Sequence, residues 1–482
     1  MFFPLGLLHK HYSSAAVMSK DTFAFSSTSL RSLRLEQELQ DWEDARRALA
    51  RRRALTRTPL PPAPKLPGHR RNQPAPPNKT QQRCRDTAVH NTFLSGDITR
   101  VYAVLQDPSM VNALMETVQE EMVWAPEMGM WTMASKAKQT SALRLAAGRG
   151  HTACVEELLF RGAEADASPG GNTALHDACA GGHAACVQLL LAHSADPDRL
   201  AADGNAPLHL CRTLQSFECA KVLLEVGGAS VNAHTQEGEL TPLHVAARRG
   251  LEGHVALFLS HGAGVGAQNR EGETPLNAAC AGAERPAEAG RYLRVVQRLL
   301  RSGADPRTAG RKKHTPLHNA CSNCCPRIVH VLLQHGACAN AANCAGHTPL
   351  DCLLQVVEDF PDQQPEEVAR WLLNFGAQPT SPKMLKLCSL SPLTLEVMLN
   401  SYAAVPPCED WIGSVPEELL TEHAAFFESA RQTSGQPRSL QHLCRCSVRR
   451  RLGALCYSAV TKLGIPPSLR EYLLLGTEGQ LR

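Results

Sequence analysis

Apolar residues fall into three patterns along this sequence, and each predicts a different element. Between Phe25 and Arg53, Leu33, Leu35, Leu39, Trp42, Ala45 and Leu49 are spaced among charges as on an exposed amphipathic helix, open to a partner helix or carried in a solvated arm. The run Thr58-Pro59-Leu60-Pro61-Pro62-Ala63-Pro64, followed by Pro67, Pro74, Pro76 and Pro77, blocks helix and predicts an extended linker. Residues 1–80 thus read as a mostly disordered arm. Further on, one tetrad recurs: Thr173-Ala174-Leu175-His176, Ala206-Pro207-Leu208-His209, Thr241-Pro242-Leu243-His244, Thr274-Pro275-Leu276-Asn277, Thr315-Pro316-Leu317-His318 and Thr348-Pro349-Leu350-Asp351. The spacing is roughly 33 residues, and most copies lead to a Gly, an apolar helical run such as Val187-Gln188-Leu189-Leu190-Leu191, and a Gly-Ala or Ser-Ala turn. Weaker copies stand at Ser141-Ala142-Leu143-Arg144 and Thr87-Ala88-Val89-His90. The third pattern is a narrow stripe, Leu440, Cys444 and Val448, in steps of four that drift only about 40° around a helix.

The tetrad has a mechanical reading. Thr caps free N–H groups at a helix start, and Pro in the first turn gives up a donor that would be unpaired anyway. Leu points into the stack. The histidines at 176, 209, 244 and 318 are expected to bond across the turn and to the adjacent repeat, a structural rather than catalytic or metal-binding role.

These copies resemble the ankyrin-repeat family over about Thr87 to Ala377. The resemblance implies an all-α solenoid of helix pairs with β-hairpin fingers, about seven or eight repeats over residues 84–378, whose concave face binds another protein.

Composition narrows the function classes. At 482 residues the chain is several times a common domain of roughly 100–150, so more than one unit shares it. Fifty Lys+Arg against 46 Asp+Glu leave +4, too mild for an electrostatic nucleic-acid binder. Hydrophobic residues make up 43% but aromatic residues only 5%, so the core must come from Leu, Ala and Val. Phe2 to Leu8 lacks a preceding positive charge and is cut off by His9-Lys10-His11, unlike a signal peptide. No apolar run reaches the roughly 18 residues of a membrane span. The expectation is a cytoplasmic protein, also nuclear in part, with no membrane partner and its 18 cysteines as thiols. Cys321-Ser322-Asn323-Cys324-Cys325 contains half of a zinc-site spacing, with Cys338 nearby, but lacks a second pair. Cys179, Cys280 and Cys321 instead share one repeat column and Cys154, Cys186 and Cys219 another, which marks them as packing residues. No phosphate-cradling loop, nucleophile elbow or zinc-protease helix is present, so no enzyme, metal or cofactor is expected.

After the repeats, Met384-Leu385 and Leu393 to Leu399 predict capping helices, and Ser414-Val415-Pro416-Glu417 a capping box launching a helix from Glu417 to Arg431. Residues 379–436 thus cap and connect. In residues 437–482, Leu440-x3-Cys444-x3-Val448 resembles the elongin-binding element of the SOCS box, Leu463-Gly464-Ile465-Pro466 its cullin-selecting element, and Leu469, Tyr472 and Leu473 its closing helix. Together with the repeats, the chain resembles the ankyrin-repeat and SOCS-box family of ubiquitin-ligase substrate receptors. That resemblance implies elongin C with elongin B and a cullin, expected to be cullin five, with its RING subunit as partners, and proteasomal degradation of a captured target. Where the family commonly has a Pro, Gly464 stands, which loosens the cullin segment. The rival function is a ligase-independent ankyrin scaffold. The clusters Arg51 to Arg53 and Arg449 to Arg451 would serve nuclear import or nucleic acid in a third reading, but read as solvated helix faces.

One fingertip stands out. Gly171, Gly204, Gly272 and Gly346 precede their tetrads by two residues, whereas Lys313 occupies that place before Thr315. With Arg307, Arg311, Lys312 and His314 it predicts a basic tip that an acidic target segment would engage.

Overall fold

A computed structural model describes residues 82–125, 130–479 and 481. The N-terminal arm, its amphipathic segment and its proline linker lie outside the described residues.

Helix pairs form where the tetrads predict them. The first repeats are α1 (Thr87–Ser95) with α2 (Ile98–Val104), α3 (Ala142–Arg149) with α4 (Thr152–Phe160), and α5 (Ala174–Gly181) with α6 (Ala184–Ala192). The fourth pairs a 3-10 turn, Pro207–Leu210, with α7 (Phe217–Glu225). Then come α8 (Pro242–Arg248) with α9 (Glu252–Ser260), α10 (Pro275–Gly282) with α11 (Ala289–Arg301), α12 (Pro316–Ser322) with α13 (Pro326–Gln334), and α14 (Pro349–Leu354) with α15 (Pro365–Asn374). One continuous core of Leu, Val, Ala and Cys runs through them.

The tetrad residues build the joints between repeats. Thr241 Oγ1 accepts from the His244 N–H, the Thr241 N–H donates to His244 Nδ1 at 3.2 Å, and His244 Nε2–H donates to the Glu273 carbonyl of the next repeat at 3.0 Å. His176, His209 and His318 make the same bridge to Asn205, Leu240 and His347. Asn277 replaces the imidazole without titrating: its Oδ1 accepts from the Thr274 N–H and its Nδ2 donates to the His314 carbonyl.

This bridge requires an unprotonated Nδ1. Burial pushes the His318 imidazole from the ordinary 6.5 down to about 4, and lowers His176, His209 and His244. A depressed folded value means stability is complete above the unfolded value near 6.5 and is lost as pH falls below it, for His318 down to about 4, at up to ~1.4 kcal/mol per pH unit for a single group. Thermal midpoints should drop steeply over that window, and His318→Asn, which copies the arrangement at Asn277, should flatten the slope. A midpoint insensitive to pH from 7 to 4 would contradict the assignment.

Three parts depart from expectation. In the fourth repeat the first helix stops at Leu210, with Cys211 at φ −73°, ψ 73°. Arg212 falls in the column where other repeats carry Ala147, Cys179 or Ala247, too large for close helix packing, and its Nε bonds the His209 carbonyl. The single helix expected from Glu417 is two, α17 (Glu417–Glu422) and α18 (Ala424–Thr433), after the cap formed by the 3-10 turn Pro382–Cys388 and α16 (Pro392–Leu399). Ser414 makes no capping bond, since Pro416 is the N-cap and the Ser414 carbonyl accepts from Ser389 Oγ. The break at His423 turns Phe426 and Phe427 into the core.

The third departure is a sheet. Between α2 and α3 the chain is about twenty residues longer than the 33-residue period, and the surplus forms a long finger. β2 (Leu114–Ala125) pairs antiparallel with β3 (Met130–Thr140), from Met115↔Thr140 to Ala125↔Met130. β1 (Arg83–Cys84) adds parallel to the base of β2 only, giving the order β1-β2-β3.

Candidate functional site

Two surfaces collect the residues singled out from the sequence. The first is on α19 (Leu440–Leu452), opened by Ser439, whose Oγ accepts from the His442 N–H. Its amphipathicity is inverted. The apolar Leu440 is 81% exposed, with Leu443, Cys444 and Val448 also open to solvent, while His442 and Arg445 are buried.

The inward polar face is engaged with the end of the stack. Arg445 donates to the Asn400 carbonyl at 3.1 Å and Oδ1 at 3.0 Å, and its guanidinium lies 4.3 Å over the Tyr472 ring. Arg438 and Arg445 both donate to His442 Nδ1, and His442 Nε2–H donates to the Tyr402 carbonyl at 2.8 Å. Burial holds this imidazole down at about 4, so it stays the neutral acceptor that both guanidinium groups require. Arg449, read from sequence as solvated, is corrected: it donates to Asn374 Oδ1 and to the Leu373 and Leu473 carbonyls, burying its charge against α15. Arg450 and Arg451 remain exposed.

A stacked aromatic joint backs the polar one. On α20 (Cys456–Lys462), Tyr457 packs edge-on to Trp371 at 5.0 Å and stacks on Phe375 at 5.5 Å, while Trp371 stacks on His330 at 3.8 Å. Gly376, at φ +90°, admits this approach: a Cβ there would stand 2.8 Å from the Ala454 nitrogen. Before α21 (Pro467–Leu473), Leu463, Gly464 and Pro466 are exposed and Ile465 is half-buried. Leu463 and Pro466 are extended, at φ −72°, ψ 136° and φ −53°, ψ 147°.

The second surface is the row of fingertips. Lys313 takes positive φ, 55°, as its place among the glycines requires, and so does Glu239 at 54°, a second non-glycine tip that the glycine count overlooks. Arg311, Lys312 and Lys313 are brought together and exposed, with the Arg311 N–H bound to the Glu271 carbonyl at 2.6 Å. His314 turns inward instead, its Nε2 accepting from Asn343 Nδ2 and its ring 5.3 Å from His318. Arg307 is not at the tip: its Nε donates to the Gly336 carbonyl at 2.8 Å. Exposed Glu237, Glu239 and Glu271 on the preceding fingers flank the basic tip.

The paired columns of cysteines lie in the core, and Cys325 Sγ donates to the Ala283 and Asn323 carbonyls. Burial pushes the Cys324 thiol up to about 12, away from the thiolate that metal or nucleophilic chemistry needs.

Comparison with known proteins finds matches to two kinds of family model. Ankyrin-repeat family models match residues 143–235, 239–270 and 284–383, and the SOCS box model matches residues 436–474. The human protein called Ankyrin repeat and SOCS box protein 16 is 49% identical over 462 residues, covering 96% of this chain and 99% of that protein. Its mouse counterpart is 48% identical over 466 residues, covering 96% and 100%. Human Ankyrin repeat and SOCS box protein 18 is 46% identical over 382 residues, 77% of this chain and 82% of that one. With repeats, capping helices and box in one continuous match, the chain belongs to the ankyrin repeat and SOCS box family.

Proposed function

We propose that this protein is the non-catalytic target-recognition subunit of an elongin B/C, cullin and RING ubiquitin ligase. The observation that carries the reading is the inverted helix α19. A solvent-facing stripe of Leu440, Cys444 and Val448, on a helix whose polar side is locked into the fold, suits a surface kept open for a partner. Elongin C takes the stripe, with elongin B bound to it, and a cullin engages Leu463 to Pro466. Cullin five is the proposed cullin, and the proposed outcome is ubiquitination and proteasomal degradation of a protein held by the stack, in the cytoplasm and in part the nucleus. Affinity purification of the full chain tests this against the scaffold alternative. Stoichiometric elongins and cullin are expected; a target recovered without either would favour a scaffold.

Gly464 sets the proposed cullin affinity. A Cβ there meets nothing within 4 Å, Leu463 already has the extended backbone that precedes proline, and no acceptor for the Gly464 N–H occurs among the described residues. Gly464→Pro should therefore remove freedom only from the unbound segment, tightening cullin binding by roughly 0.4 to 1 kcal/mol, a few-fold. Titration of the elongin-bound protein with cullin checks it; equal or weaker binding would count against it.

For the target, the proposed contact is the basic tip at Arg311, Lys312 and Lys313; His314 lies behind it against Asn343 and His318, and Arg307 stands off the tip, bonded to Gly336. Because carboxylates on the neighbouring fingers flank it, the matching segment is acidic opposite this finger and not along the whole row. Reversal of Arg311, Lys312 and Lys313 to Glu should weaken capture in a salt-sensitive way and leave elongin recovery intact. Unchanged capture of a verified target would refute the contact.

A further inference from the structure

Among the described residues, nothing packs on one apolar-rich face of the long finger. Across β2 and β3 the register places Val118 opposite Ala137, Met122 opposite Met133 and Trp124 opposite Trp131 on one side, with Glu120 opposite Ser135 between the first two of these pairs. The two indoles meet edge to face at 5.7 Å, and Val118, Met122, Trp124, Trp131 and Met133 are all exposed. β3 pairs with no further strand among the described residues, and β1 covers β2 only at Leu114 and Met115. Two strands alone are marginally stable in water and need a cover on the apolar face. Trp and Met are also the side chains that bury the most adaptable area at protein interfaces.

The dimensions select the cover. From Val118 to Trp124 the face runs about 20 Å along the strands and about 10 Å across them. A second copy laid face to face would bury far less than the roughly 800 Å² per partner of a stable dimer. A third strand would extend the sheet sideways and leave the face open. One α-helix about 10 Å wide fits lengthwise, with about thirteen residues over the 20 Å. Charge sets its direction. At the base of the same face Glu116 is held by Arg83 at 3.6 Å and Arg85 at 3.1 Å, both arginines largely exposed, so two guanidinium groups meet one carboxylate.

We infer that the β2–β3 face is a docking surface for an amphipathic helix of the captured target. That helix carries apolar residues at i, i+4, i+7 and i+11 and carboxylates at the end lying over Arg83 and Arg85. The finger belongs to the same row as the proposed target face: the tip at Gly170 packs on the Gln139 carbonyl, and Arg144 donates to the Gln139 and Pro169 carbonyls. A target engaging both the basic tip and this helix site gains by effective concentration, which lets so small a surface contribute. The inference rests on reading the stack as target-capturing, but its test does not depend on elongin.

The probe is a labelled helical peptide of about fourteen residues with that apolar stripe and two Glu at one end. Controls are a scrambled peptide of identical composition and one with Lys replacing the two Glu. Anisotropy titration against the full chain should show saturable binding of the striped peptide. Trp131→Ser should weaken it roughly tenfold. Arg83→Gln with Arg85→Gln removes the positive charge without adding carboxylates beside buried Glu116, and should weaken the Glu-ended peptide roughly two- to fivefold while narrowing its advantage over the Lys-ended one. Amide-exchange protection by the peptide should fall on β2 and β3. Equal binding of the scrambled peptide, indifference to both variants, or protection elsewhere would overturn the inference. A wild-type dimer that Trp131→Ser dissociates in sedimentation would also overturn it, in favour of a second copy. Elongin recovery, measured in parallel, should be unchanged in every variant; its absence in the wild type would reject the ligase reading and leave peptide binding to be judged alone.

Discussion

Leu440→Ala combined with Cys444→Ala is expected to abolish recovery of elongin C with the full chain. The expectation follows from where these side chains stand. Leu440 makes almost no contact within the fold, so its removal costs the free protein little, and the loss falls on the complex. Truncating a central apolar anchor typically costs ~2 to 4 kcal/mol, and the neighbouring thiol at i+4 lies on the same exposed face of α19. Thermal stability should be unchanged within experimental error, which separates lost docking from lost folding. Full recovery of elongin C by the double variant would remove the assignment of the stripe.

The opposite signature is expected from Arg445→Ala. Its contacts are all internal: the Asn400 carbonyl and amide oxygen, His442, and the face of Tyr472. Truncation takes the donor from the Asn400 carbonyl, leaves Asn400 Oδ1 and His442 Nδ1 to Arg438, and removes a desolvated cation-π contact, a loss of ~2 to 4 kcal/mol. The thermal midpoint should fall by several degrees, and amide exchange should rise in α19 and α21, where the box meets the cap. Elongin recovery should persist, because Leu440, Cys444 and Val448 are untouched. If Arg445→Ala leaves exchange in α19 and α21 as it was, the polar seam does not hold the box.

The repeat scaffold was legible because each tetrad residue has one mechanical task. Thr241 and His244 make the bonds their spacing implies, and Asn277 shows that any side chain with the right acceptor and donor suffices. The stripe on α19 was legible as a helix face, but its exposure was not, since the same spacing also describes ordinary core. The signal lay in its other side: His442, Arg445 and Arg449 follow the same helical period and look solvated until their acceptors on α15 and α16 are known. Long-range partners of that kind, 45 or 75 residues away in sequence, leave no local trace. The hairpin went unread because β2 does not alternate cleanly, with Met122-Val123-Trp124 apolar in succession. In β3 the alternation of Trp131 and Met133 with Thr132 was available in the sequence, with Gly129, a residue type that often bounds strands, just before it. The second non-glycine fingertip, Glu239, was hidden by a two-residue lengthening of its loop relative to the period.

The central claim is that this chain offers elongin C a preformed surface on α19. Calorimetric titration of the purified full-length protein with purified elongin B/C tests it most directly. Saturable one-to-one binding is expected, lost in Leu440→Ala with Cys444→Ala and kept in Arg445→Ala. No binding by the folded wild-type protein, or binding that the double alanine variant retains in full, would contradict it.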